Sequence, residues 1–185
     1  IDGNAANTQS LTLNAGTTGA IRVGGIVGGT TSLKNLDIVN SNGATFDRAV
    51  TVGNRVLLSD TQTTIAFNGG LTTPTLTLAS KPYGLTLGGN VLVTDLVSFV
   101  NTGALKLGLV VTDDLHFVNG LVATTPASIG LAGVLRSDNA AIQLGRSTST
   151  ITLITPLPSP VPPSPDASRM LLGAFDERGI TFVPD

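Results

Sequence analysis

The chain of 185 residues contains no cysteine and no tryptophan, and aromatic residues make up only 4% of it. Without cysteine there is no disulfide and no thiolate metal site; the compartment stays open, because many exported proteins do without the residue. With so few rings, the interior has to be assembled from Val, Leu, Ile and Ala, within a hydrophobic fraction of 41%. Charge is scarce too: charged residues are 12%, against roughly 25% in an average soluble domain. A net charge of −2 offers no electrostatic attraction to nucleic acid or to an anionic membrane. Disorder is excluded by the same composition, since disordered chains are poor in apolar residues and rich in charge. The longest apolar stretches, such as "ASIGLAGVL" at 127–135, are about half the length of a membrane span, so no span is expected. The opening "IDGNAANTQS" has no Met and no basic segment leading into an apolar run; the expectation is a processed chain or an excised piece of a longer one.

What is present is β pattern, from residue 9 to about residue 155. "SLTLNAG", "AIRVGGIVGG", "LDIVNSNG", "AVTVGNRVLLSD", "TTIAFNGG", "TLTLASKPYG" and "TITLI" alternate or run short and apolar, then stop at Asn, Gly or Asp. Thr and Val are stiff at χ1 and favour extended backbone. Asn-Gly and Gly-Gly pairs supply the positive φ that sharp corners need.

The phrases repeat. "LTLGGNVLVTDLVSFVNTG", 85–103, is followed by "LKLGLVVTDDLHFVNG", 105–120. Three series align: Gly53, Gly88 and Gly108; Asp60, Asp95 and Asp113; Asn68, Asn101 and Asn119. A unit of 18–20 residues accounts for all three, with the first gap near two units. A fixed period of this size marks a solenoid. A β-only unit of this length is one coil of a parallel β-helix, with inward Val, Leu and Ile stacked in ladders and Asn ladders at the corners. The spacing predicts roughly seven or eight coils over residues 1–155, a rod on the order of 35 Å long. A β-sandwich or barrel of hairpins is the alternative.

The tail differs. "PLPSPVPPSP", 156–165, holds six of the ten prolines and is expected to form a polyproline II linker or arm. Residues 166–185 are then expected to form a C-terminal cap. "SPDASRMLLG" reads as a short helix with Ser164 as N-cap and Gly173 as terminator, and "GITFVPD" as a last strand. Pro156, Pro158, Pro160, Pro162, Pro163 and Phe182 are the candidate assembly contacts of this arm.

The stretch "SLTLNAGTTGAIRVGGIVGGTTSLKNLDIVNSNGATFDRAVTVGN", 10–54, resembles the β-strand repeats of large exported bacterial proteins of the filamentous-haemagglutinin and autotransporter-adhesin type. "SLTLNAGT", "VGGTTSLKNL" and "FNGG" carry the likeness, which covers roughly residues 1–150 and fades in the Pro-rich tail. It implies a right-handed parallel β-helix in an extracellular or cell-surface stalk, adhesin or filament. The family has no common catalytic residues, so none carries over. The chain departs from it in being short and in its Pro-rich tail.

Candidate chemistry is sparse. Asp113 and Asp114 with His116 are the sharpest enzymatic candidate, because paired carboxylates can supply an acid and a base to a polysaccharide-degrading β-helix. Consecutive strand residues point to opposite faces, however, so the two converge only at a corner. His116 alternates with Leu115 and Phe117 and is expected to face outward; a lone His makes a poor metal site. The Gly-Gly pairs precede neither Lys-Ser/Thr nor a helix start, so they read as turns rather than phosphate loops. Asp47, Asp60, Asp95 and Asp138 near turns are weak calcium candidates. Tyr83, in "SKPYGL" beside Lys81, reads as an excursion from the rod: loop packing, or a sugar platform. No residue pattern calls for a cofactor. Between Asp60 and Asp95 the only charge is Lys81, which leaves two coils with a Thr-rich, nearly uncharged outside. Such faces associate readily, and both ends of a solenoid expose open strands. The expected partner is a second copy, joined end to end or laterally into an oligomer or filament, with a surface glycan as the alternative.

Overall fold

Burial in the computed structural model alternates along the strands, as an inward and outward pleat requires: Gly43–Phe46 alternates half-buried with buried, and Thr64–Phe67 does nearly the same. The structure describes residues 1–145 and the backbone of the strands at 150–153, 175–176 and 179–180.

The chain winds through successive coils. The first holds β1 (Ser10–Asn14) and β2 (Ala20–Val23), the second β3 (Leu33–Asn40) and β4 (Gly43–Phe46), the third β5 (Val50–Leu58) and β6 (Thr64–Phe67). The fourth holds β7 (Leu71–Thr73), β8 (Thr75–Leu78) and β9 (Gly84–Leu87), and the fifth β10 (Val91–Val93), β11 (Val97–Ser98) and β12 (Ala104–Leu107). The sixth holds β13 (Asp114–Phe117), β14 (Leu121–Ala123) and β15 (Ser128–Leu131), and the seventh β16 (Val134–Arg136), β17 (Ile142–Leu144) and β18 (Thr150–Leu153). Every pair among these strands is parallel and joins one coil to the next. Seven coils stacked with six intervals between them make a β-solenoid of about six full turns, and the hairpin alternative is excluded. Six intervals of about 4.8 Å make a stack about 29 Å long. The last two strands, β19 (Phe175–Asp176) and β20 (Gly179–Ile180), form a small antiparallel pair.

Three faces result. The third is the most regular: β2, β4, β6, β9, β12, β15 and β18 follow one another without interruption. The first and second share the bent strand β5, whose Val50 and Thr51 pair with β7 and whose Arg55–Leu58 pair with β8. From the fourth coil on, that long strand is broken. Pro74 stands between β7 and β8, where it cannot donate to a ladder.

The coil length is not the uniform 18–20 residues expected. Leu85 pairs with Leu105, twenty residues on, but Ser10 pairs with Asn35 and Val91 with Leu115. The extra residues lie in corners, where a loop can lengthen without breaking a ladder.

Inward residues stack as aliphatic ladders, for example Leu36, Val56 and Leu76, or Ile65, Leu85 and Leu105. The rings are few but central, unlike the purely aliphatic interior expected. Phe46 and Phe67 stack on successive coils with centroids 4.8 Å apart, and Phe99 meets Phe117 edge to face at 5.9 Å. Tyr83 is wholly buried and donates its hydroxyl hydrogen to the Leu58 carbonyl at 3.2 Å, so it is a core residue rather than an excursion.

Candidate functional site

The three aligned series do not stack as three columns. Asn68 lies at the corner after β6, Asn101 at the corner before β12, and Asn119 at the corner after β13. Asp60, Asp95 and Asp113 are likewise spread over three corners. Asp60 follows β5 and Asp113 precedes β13, while Asp95 follows β10 and donates its amide to the Pro74 carbonyl. Gly88 and Gly108 do share a corner, and each donates its amide to the coil below, to Phe67 and Leu87. Gly53 does not join them, because it sits inside β5. A Cβ at Gly53 would meet the Asn7 amide oxygen, and a Cβ at Gly108, whose φ is +85°, would meet the Ala132 carbonyl. The Asn side-chain ladder that exists uses other residues: Asn54 donates to Asn35 at 2.8 Å, and Asn35 to Ser10 at 3.1 Å. Asn101 is buried and donates to the Tyr83 carbonyl, which ties two coils at their corner.

Between Asp95 and Asp113 the cause is the length of one corner. The phrases "LVTD" and "VVTD" look equivalent, but the corner between β12 and β13 is longer than the one between β9 and β10. Asp113 fastens that longer corner: its carboxylate is 6% exposed and accepts the Leu109 amide at 2.7 Å and the Val110 amide at 3.3 Å. Asp114 is on the strand and turned outward, into an ion pair with Arg136. Each carboxylate is committed to a different partner, so the paired acid and base considered for Asp113 and Asp114 does not form. Pro156, Pro158, Pro160, Pro162, Pro163 and Phe182, with the expected helix at 164–173, lie outside the described residues.

The structure gathers polar chemistry elsewhere, on the outside of the first face. Thr72, Leu92, His116 and Arg136 stand in register on β7, β10, β13 and β16, while Leu115 and Phe117 beside His116 are buried. Two diagonal pairs cross the upper coils. Arg136 grips Asp114 with two parallel bonds, Nε to Oδ1 at 2.9 Å and Nη2 to Oδ2 at 3.0 Å. His116 Nε2 lies 2.8 Å from Asp138 Oδ1. Between these pairs and the coils below is an open depression of about 290 Å³, lined by Thr72, Asn90, Val91, Leu92, Asp114, His116 and Arg136. The Arg136 guanidinium holds the Asp114 carboxyl below the usual carboxylate range, and the same bond raises Arg136. Sequence reasoning singled out Asp114 and His116 but missed Arg136. The signal was a spacing of 22 residues, one 20-residue coil plus two, from Asp114 to Arg136 and again from His116 to Asp138.

The weak calcium candidates are each engaged by other groups. Asp47 pairs with Arg22 at 3.0 Å, Asp60 with Lys81 at 3.7 Å, Asp138 with His116, and Asp95 accepts the Thr75 hydroxyl. Among the described residues no three His, Cys, Asp or Glu side chains cluster as a metal site would require. No helix among them is long and apolar enough to cross a membrane.

The chain matches no family model, no curated protein and no solved structure.

Proposed function

We propose that the protein is a structural β-solenoid, a subunit or segment of an extracellular fibre, sheath or adhesin stalk on a bacterial surface, joined to its neighbours by continued coil stacking. The observation that carries this reading is the open first coil. Among the described strands, β1 pairs only with β3 and β2 only with β4, so each leaves one backbone edge without a ladder partner. Directly inside that edge, Leu11, Leu13, Ile21 and Val23 are only partly buried. Residues 1–9 do not cover it; they run beside residues 26–34, to which Ile1, Gly3 and Asn7 donate. Unpaired parallel edges over half-covered aliphatic side chains are what another coil would complete. Supplied by the same chain, such a coil lengthens the stalk; supplied by a second copy, it makes a head-to-tail contact that does not close on itself and, repeated, gives a filament.

The third face supports lateral packing in such an assembly. Its outward residues are small and uncharged over the middle coils: one row begins at Arg22, which pairs with Asp47, and runs through Thr45, Ala66 and Thr86 to Lys106 and Gly130, with Thr64, Gly84, Ala104 and Ser128 in the next. The expected β-helix architecture, the open coil and this flat face are together consistent with the resemblance to exported surface proteins.

Light scattering and negative-stain imaging over a concentration series test the reading. Particles should lengthen with concentration in steps of one rod, and Leu13→Lys with Ile21→Lys should abolish the growth while circular dichroism stays β-type. Particles of one rod length at every concentration, unaffected by those substitutions, would rule out the self-assembling subunit and leave a segment of a longer stalk.

A further inference from the structure

We propose that the depression on the first face is a saccharide subsite that takes one pyranose ring of a neutral glycan. The site stands apart from the fibre reading, because a single rod would carry it just as well.

The ligand class follows from how the charges are disposed. The Arg136 fork is occupied by Asp114, and His116 faces Asp138, so among the described residues lining the depression no free cation is left to attract a phosphate, sulfate or carboxylate. What the pairing leaves is a set of rigid, oriented hydrogen-bonding atoms. Each Asp114 oxygen accepts one guanidinium bond and has a further lone pair for a hydroxyl. Arg136 Nη1 takes no part in the pair and remains a donor. Asn90 adds an amide with a donor and an acceptor, and Thr72 a hydroxyl that serves as either. Paired donors and acceptors at fixed separation match the vicinal hydroxyls of a sugar ring, which are themselves donors and acceptors on neighbouring carbons.

The floor supplies the other half. Leu92 is 38% exposed in the middle of the column, between Thr72 and His116, while Val91 turns its side chain into the core and adds only backbone to the lining. An aliphatic floor beneath oriented polar atoms suits a ring that has one C–H face and an equatorial rim of hydroxyls. The depression, about 290 Å³ and open, can seat one ring against the surface without enclosing it, unlike the deep sites of roughly 300–1,000 Å³ that take larger ligands. Among the described residues no aromatic side chain other than His116 lines the depression, so they offer no phenyl, phenol or indole stacking platform. For a ligand of this size on such a surface, Kd should be on the order of 1 mM. If the rods assemble, one weak site per rod becomes an avid row.

The test is amide NMR titration of the whole chain with the methyl glycosides of glucose, galactose and mannose, and separately with inorganic phosphate. At least one glycoside should give saturable shifts centred on Asn90, Leu92, Asp114, His116 and Arg136. Asp114→Ala, an exposed position, should reduce those shifts at least tenfold in affinity without altering the rest of the spectrum. Lys106→Ala, on another face, should leave them unchanged. No shift with any glycoside at tens of millimolar, shifts that survive Asp114→Ala, or shifts with phosphate alone would each overturn the proposal.

Discussion

Phe46 and Phe67 lie ring over ring on successive coils, with centroids 4.8 Å apart and planes within 7° of parallel. The separation equals the spacing of neighbouring strands in a sheet, about 4.8 Å, so the parallel ladder itself imposes the stack. Both rings are fully buried, and no other aromatic pair in the described residues is stacked in this way. Phe67→Ala should therefore cost about 3–5 kcal/mol in chemical denaturation, as removal of a buried ring does. Phe46→Ala should cost a similar amount, and the double substitution should cost less than the sum, because the two share one cavity.

Glycine substitutions should separate backbone conformation from coil packing. Gly16 and Gly108 both have positive φ, +68° and +85°. Around Gly16 there is open space, whereas a Cβ at Gly108 would collide with the Ala132 carbonyl. Gly16→Ala should cost about 1–2 kcal/mol, the left-handed penalty alone. Gly108→Ala should cost clearly more, since the coil above has to move. Thermal melts of the two variants compare them directly; equal losses would show that coil separation at this corner is soft.

The adjacent carboxylates should respond in opposite ways. Asp113 is buried and satisfies the amides of Leu109 and Val110, so Asp113→Ala should cost about 1–3 kcal/mol by orphaning them. Asp114 pairs with Arg136 in the open, and exposed pairs contribute about 0–1 kcal/mol, so Asp114→Ala should leave the denaturation midpoint nearly unchanged. Hydrogen exchange at the Leu109 and Val110 amides should rise only in the Asp113 variant.

Tyr83 gives a pH prediction with its own reporter, because it is the only tyrosine and there is no tryptophan. Burial pushes its phenol up from 10.0 to about 12. A group whose folded pKa is raised stabilises the fold below its unfolded value and loses that contribution as pH rises through the folded value. Stability should accordingly fall between about pH 10 and pH 12, and the native phenolate absorbance should appear near 12. Tyr83→Phe should remove this alkaline loss, at a cost of about 1 kcal/mol at neutral pH for the hydrogen bond to Leu58. A phenolate signal midway near pH 10 in the folded protein would show Tyr83 to be solvated.

Asp114 has the opposite sign. Its hydrogen bond to Arg136 lowers its pKa below 3.8, so its contribution is present above that value and disappears as pH falls through the folded value. Arg136→Leu should return the Asp114 carboxyl toward its ordinary range in a side-chain NMR titration.

Much of the architecture was legible in the sequence because it is local. Alternation of Leu and Val with Thr along "LTL" and "LKL" sets which side chains enter the core, and the pleat guarantees it whatever lies above or below. The repeated "LTLGG" and "LKLGL" do mark equivalent places, since Leu85 pairs with Leu105 and Gly88 and Gly108 occupy one corner. Those features, with the period near 20, were enough for a parallel solenoid.

Vertical register was not legible past that corner, because it depends on loop length. The longer corner before β13 puts Leu115 above Val91 and carries Asp113 away from the place that Asp95 occupies. An identical Thr-Asp phrase then lands at a different corner with a different task. The same is true of Tyr83, which looks like a loop tip until the coils close over it. The cluster of Asp114, His116, Arg136 and Asp138 is purely a product of stacking: its members are one coil apart in the chain and meet only where two parallel strands lie side by side. By itself the sequence determined the alternation, the turns and the approximate period, all set by backbone preferences over a few residues. Which side chains stand above which was decided by the tertiary structure, because register is the sum of every corner that precedes it.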